Sequence, residues 1–237
     1  MTHSPSLTRR LAAEFLGTAF LVAAVIGSGV MGERLANGNV LLALLANTIA
    51  TGAALVAIIL TFGPISGAHL NPAVSLADAI ENGLPWKEAW QYAGVQVFGG
   101  VLGAIAAHLM FGLPTLSLSQ HARSGLAQFL SEFVATFGLL SVIWGCSRAR
   151  MEFVPFAVGA YITAAYWFTA STSFANPAVT IARSLSDTFA GIRPSDAPWF
   201  ILAQILGALA ATFLFRWLVP SLTSAAKDVL VRHEDAN

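Results

Sequence analysis

Two asparagines carry the most readable chemistry in this 237-residue chain. Asn71 opens Asn71-Pro72-Ala73 within SGAHLNPAVSLADAI, and Asn176 opens Asn176-Pro177-Ala178 within TSFANPAVTIARSLS. An Asn at the cap with Pro at the first helical position starts a helix. The start of a helix carries partial positive charge, and the capping amide can offer an N–H to an oxygen. Two such starts facing one point would focus positive potential and a pair of donors there. A few other ionisable groups stand in apolar surroundings. Glu14 and Glu132 lie inside long apolar runs, and His69 sits two residues before Asn71. Asp78 and Arg183 each follow an NPA asparagine by seven residues, two turns along and on nearly the same face. No spacing of nucleophile and base, no phosphate loop and no metal-ligand pattern is present. His3, His121 and His233 fall in tails and loops, and the single Cys146 excludes an internal disulfide. The sequence therefore implies no enzyme, no cofactor and no metal.

The elements that must position these groups follow from composition. The chain is 56% hydrophobic and 10% charged, with a mean hydropathy of +0.71. Soluble domains carry roughly 25% charged residues, so this is an integral membrane protein. Its net charge of +0 gives no basic field for nucleic acid. Apolar runs predict six spans, at about 11–30, 40–62, 86–111, 126–146, 153–171 and 198–219, with a break at Gly63-Pro64 ending the second. Trp86, Trp90, Trp144, Trp199 and Trp217, near the span ends, read as interfacial anchors. The segments opened by the two asparagines, about 72–80 and 177–189, are too short to cross a bilayer, which needs about 20 residues. They read as re-entrant half-helices, whose irregular lead-ins are tolerable at membrane depth only when buried in protein or lining a watery cavity.

The halves repeat. Ala13-Glu14-Phe15 recurs as Ser131-Glu132-Phe133, and Tyr92-x-x-x-Gln96-x-x-Gly99 recurs as Phe200-x-x-x-Gln204-x-x-Gly207. With three spans per half, the second copy enters from the opposite side of the membrane. The expected organisation is one channel domain, with repeat one at about 8–111, a linker at about 112–125, repeat two at about 126–219 and a polar tail at 220–237. With both termini inside, eight Lys and Arg (Arg9, Arg10, Lys87, Arg148, Arg150, Arg216, Lys227, Arg232) are cytoplasmic and four (Arg34, Arg123, Arg183, Arg193) external. That bias favours cytoplasmic termini in the cell membrane.

The pair of NPA segments, each inside a three-span half and the first preceded by SGAHL, resembles the aquaporin and glycerol-facilitator family of membrane channels. The resemblance covers roughly residues 8 to 220. It implies an all-α membrane fold of six transmembrane helices plus two re-entrant half-helices in inverted three-span repeats, and a homotetramer with one pore per subunit. Asn71 and Asn176 would face each other at the centre, where half-helix dipoles turn back protons and cations, as is understood of aquaporin-type pores. Glu14 and Glu132 would brace the lead-ins by accepting backbone N–H bonds, and His69 would orient its loop or line the inner pore. Asp78 and Arg183 become candidates for the cytoplasmic and outer vestibules.

The resemblance also places a second filter toward the outside. Counted from each NPA, its four positions fall on Thr51, Ala164, Ser173 and Val179. Most relatives carry Arg directly after the second NPA, where this chain has Val179; typical water channels place an aromatic at the position of Thr51 and a His at that of Ala164. The expected ring is small-sided, uncharged and without an aromatic plate. A wide, uncharged filter would admit small neutral solutes such as glycerol, urea and the hydroxides of arsenic, antimony or boron, with water. A strict water channel is the alternative within the class. A proton-coupled secondary transporter would need coupling groups, for which only Glu14 and Glu132 qualify, and a closed-pore structural member is a further alternative.

Overall fold

The computed structural model describes residues 5–218; residues 1–4 and 219–237, with the polar tail at 220–237 and its Lys227 and Arg232, lie outside the described residues. Among the described residues eight α-helices run in chain order: α1 Leu7–Leu35, α2 Val40–Ser66, α3 Pro72–Ile80, α4 Trp86–Met110, α5 Leu126–Ala149, α6 Val154–Phe168, α7 Pro177–Ser184 and α8 Ala197–Leu218. Five of them (α1, α2, α4, α5 and α8) are long and apolar enough to cross a membrane. The fifth span expected from the sequence is shorter: α6 has 15 residues. A 3-10 turn at Met151–Phe153 precedes it directly, and together the two reach about 28 Å, close to the thickness of a hydrocarbon core.

The packing follows the repeat. In the first half α1 packs on α2 and α4, and α3 on α4; in the second, α5 packs on α6 and α8, and α7 on α8. The halves join where α2 meets α6, α4 meets α7 and α3 meets α8. Small residues set these approaches. A Cβ on Gly99 would land on the Phe15 carbonyl, and a Cβ on Gly207, its counterpart, on the Phe133 carbonyl. Large apolar side chains such as Phe20, Phe98, Leu126 and Trp217 are exposed, as a lipid-facing surface requires.

Several boundaries differ from the expectation, each for a packing reason. Helix α1 continues past 30 to Leu35, because Gly32 lies against the backbone of Ala43 at the α1–α2 crossing. Helix α2 runs through Gly63-Pro64 and ends at Gly67, whose φ of 88° and N–H bond to the Gly63 carbonyl close the last turn. The second half-helix stops at Ser184 instead of reaching 189, because the chain folds back there and Ile192 N–H donates to the Arg183 carbonyl. Trp144 is no interfacial anchor: it is 1% exposed and donates through Nε1 to Thr212 of α8 at 3.2 Å. Trp86, Trp90, Trp199 and Trp217 are exposed.

Candidate functional site

Asn71 and Asn176 cap α3 and α7 with nearly the same backbone, φ −156° in both and ψ 117° and 115°. Asn71 Oδ1 accepts from Ala73 N–H at 2.9 Å, and Asn176 Oδ1 accepts from Ala178 N–H at 2.9 Å and Val179 N–H at 3.2 Å. The two amides then cross. Asn71 Nδ2 donates to the Ala175 carbonyl and Asn176 Nδ2 to the Leu70 carbonyl, each at 2.7 Å. An amide nitrogen carries two hydrogens, so the crossing spends one donor of each asparagine and leaves one. Pro72 and Pro177 occupy the first helical positions, and Ala73 and Ala178 are buried.

The lead-ins repeat in detail. Ala68 and Leu70 in one, and Ser173 and Ala175 in the other, adopt positive φ between 47° and 54°. Such backbone costs roughly 1–2 kcal/mol per non-glycine residue, and a buried acid holds each copy in place. Glu14 accepts from Ser66 Oγ (2.7 Å), His69 N–H (2.9 Å), Leu70 N–H (2.6 Å) and Gln96 Nε2 (2.8 Å). Glu132 accepts from Phe174 N–H (2.9 Å), Ala175 N–H (2.9 Å) and Gln204 Nε2 (2.6 Å). Hydrogen bonds to a charged group contribute about 1.5–3 kcal/mol each, enough to offset the strained backbone. Each glutamine reaches on to its half-helix, Gln96 to Ser75 Oγ and Gln204 to Thr180 Oγ1. His69 stands beside Ser75 Oγ at 3.0 Å, with Nε2 3.7 Å from Asp78 Oδ2.

A cavity of about 80 Å³ runs past both asparagines, lined by the lead-in residues from Gly67 to Asn71 and from Ser173 to Asn176. The rest of its lining is largely apolar and includes Leu21, Val25, Leu55, Leu139, Ile143 and Val158. Of the four filter positions, Thr51, Ser173 and Val179 line it and Ala164 does not. Ala164 is exposed on the outer face of α6. Tyr166, two residues on, enters the cavity instead and meets Thr51 Oγ1 at 3.2 Å through its hydroxyl. The expected ring without an aromatic is therefore corrected. Counting back from Asn176 misplaced this position because residues between α6 and α7 are not helical and do not keep register. The sequence offers no signal for Tyr166, which is one of three consecutive aromatics, Tyr166-Trp167-Phe168, with Tyr161 close before them.

The two vestibule candidates part company. Arg183 lines the cavity, while Asp78 is buried away from it, next to His69 and the turn at Gly83. Arg123, unremarked in the sequence beyond its charge, reaches the Arg183 end: Nε donates to the Gly191 carbonyl at 2.8 Å and Nη1 to the Ser171 carbonyl at 3.1 Å. The linker that carries it pairs with the chain after α7, through Ser117 N–H to the Leu185 carbonyl and Ser119 N–H to the Ser184 carbonyl. His108 is a buried polar contact that braces this region, meeting the Pro114 carbonyl at 2.8 Å and Ser186 Oγ at 2.8 Å.

A cavity threading two crossed half-helix starts in a membrane-spanning bundle agrees with the comparisons to known proteins. The family model for the major intrinsic proteins matches residues 1–172 and, in a second match, 146–236. The aquaglyceroporin AqpS of Rhizobium meliloti (strain 1021) is 56% identical over 213 residues, covering 90% of this chain and 91% of its own. The chain belongs to the major intrinsic protein family. The aquaporin NIP6-1 of Arabidopsis thaliana is 34% identical over 212 residues, covering 86% of this chain and 67% of its own. The X-ray structure of the aquaglyceroporin from Plasmodium falciparum has the same fold, with a TM-score of 0.74 at 22% identity over 92% of this chain and 99% of that one. As a major intrinsic protein, the chain is a multi-pass membrane channel for small solutes and not an enzyme.

Proposed function

We propose that this channel conducts glycerol and other small neutral solutes, together with water, in the manner the name of its relative AqpS describes. The observation that carries this reading is the cavity's lining. Lead-in residues and the two asparagines share the cavity with a largely apolar lining, and Val179 lines it at the position where the family pattern would place Arg. A polyol can turn its hydroxyls to the polar groups and its carbons to the apolar lining. A water molecule facing that lining forgoes hydrogen bonds there, which is costly. Un-ionised hydroxides, arsenous acid among them, have the size and neutrality to follow. Glu14, Glu132 and His69 hold the lead-ins in this reading, and Asn71 and Asn176 supply the central donors.

The chain forms one channel domain of two repeats joined by the linker, set in the cell membrane (the inner membrane of a bacterium) with both termini cytoplasmic. Its Arg183 end then faces outward. Four copies assemble, each with its own pore. The test is stopped-flow light scattering on proteoliposomes with glycerol, arsenous acid and water, comparing wild type with Val179→Arg. Wild type should pass all three and the Arg variant mainly water. Glycerol flux unchanged in the variant, or absent in wild type, would sink the reading.

A further inference from the structure

The feature left over from the pore is a pair of guanidiniums at the Arg183 end. Arg183 follows Val179 by four residues on α7, one turn and about 6 Å further along, so both reach the same cavity. It is 2% exposed. Its Nε donates to the Ala190 carbonyl, and its guanidinium carbon lies 3.3 Å from the centre of the Phe174 ring. Arg123 sits against the same ring at 5.1 Å, and Phe174 is itself packed edge-on against Phe200. Among the described residues neither guanidinium forms an ion pair. A buried cation without a carboxylate is costly; here the Phe174 ring and the Ala190 carbonyl hold Arg183 in the lumen. Nearby, Ser173 Oγ is buried and without a hydrogen-bond partner among the described residues. Thr51 and Tyr166 add a hydroxyl each.

We propose that Arg183 is a specificity-determining residue of this pore, supplying one turn beyond Val179 a fixed positive charge and a fork of donors. The ligand class is a neutral molecule bearing two or more hydroxyls, a polyol or an un-ionised weak oxyacid. One of its oxygens meets the guanidinium while others reach Ser173, Thr51 and Tyr166. The same charge turns cations away where Val179 cannot. Phe174 and Arg123 are positioning residues. This rests on the neutral-solute reading above.

The full-length channel in proteoliposomes provides the test, with glycerol and water permeability and potassium leak measured for wild type, Arg183→Gln, Arg183→Lys and Phe174→Leu. Losing a donor fork and a charge should shift the glycerol-to-water ratio by roughly fivefold and raise potassium leak by about tenfold in Arg183→Gln. Lysine keeps the point charge without the planar fork, so Arg183→Lys should still exclude potassium while losing the glycerol ratio. Phe174→Leu should move both readouts in the direction of Arg183→Gln. Wild-type ratios and leak in the Arg183 variants would overturn the proposal. Should Arg183→Gln not assemble, unchanged behaviour in Arg183→Lys and Phe174→Leu does the same, as does potassium leak through wild type. Failure of wild type to pass any neutral solute strikes instead at the proposed function, and the potassium arm still judges the charge.

Discussion

At the scale of single residues, Glu14 and Glu132 only accept hydrogen bonds, from backbone and amide donors that have no water to turn to. Removing the acceptor in Glu132→Ala strands the N–H groups of Phe174 and Ala175 and the Gln204 amide, at about 1–3 kcal/mol each. Thermal unfolding in detergent should show a clear fall in midpoint, smaller for Glu132→Gln, which retains one accepting oxygen; a wild-type midpoint in the Ala variant would show that the brace is dispensable. Filter residues separate just as sharply. Tyr166→Phe removes the hydroxyl that meets Thr51, and a lost hydrogen bond of about 1 kcal/mol corresponds to a shift of roughly fivefold in relative solute permeability. Ala164→Ser, on an exposed face, should leave every permeability as it was. Equal effects of the two would restore Ala164 to the ring. The asparagines and Val179 were legible because the tripeptides set their register, and the acids because each lies within a helix. Tyr166 was not, since its place depends on a non-helical stretch.

At the scale of elements, the linker illustrates what spacing leaves open. Residues 112–125 read as a polar connection, yet they lie along the chain after α7 and carry Arg123 to Phe174. Those pairings join residues about 70 positions apart in the chain, as Ser117 to Leu185 does, and no local pattern announces them. Asp196 ties this layer to α8. Burial pushes its carboxyl up, but hydrogen bonds from Arg193 and from the Arg123 N–H, with the Arg193 charge, outweigh that and hold it below the ordinary carboxylate range. A carboxyl depressed by folding stabilises the fold above its unfolded value of about 3.9, and the contribution is lost as pH falls through the lower folded value. Amide exchange around Arg123 should therefore stay slow from neutral pH down to about 4 and quicken below it. Asp196→Asn should exchange faster throughout and lose that acid dependence; identical profiles would show that the carboxylate does not hold the layer. Helix α8 makes a second test. Gly207→Val places a side chain on the Phe133 carbonyl, and overpacking of this kind costs about 1–3 kcal/mol. Its unfolding midpoint should drop well below that of Val substituted at Gly94, where a Cβ meets nothing.

At the scale of the whole molecule, the two halves bury matching polar networks back to back, and the cavity exists only where they meet. Native mass spectrometry in mild detergent should show four copies, and a monomer of full solute permeability would remove the assembly from the account. By itself the sequence determined that this chain spans a membrane, that it is built of two inverted halves, and that each half turns a capped half-helix inward. Those conclusions rest on hydropathy, on motif repetition and on helix-start chemistry, all of which are local. Only the tertiary structure decided which side chains share the lumen. It put Tyr166 there and Ala164 outside, Arg183 there and Asp78 behind His69, and it spent one donor of each asparagine on the opposite lead-in. The reason is physical: lumen membership is set by contacts between halves about 105 residues apart, as between Asn71 and Ala175, and by non-helical lead-ins whose direction the buried acids impose. Neither leaves a periodicity to be read along the chain.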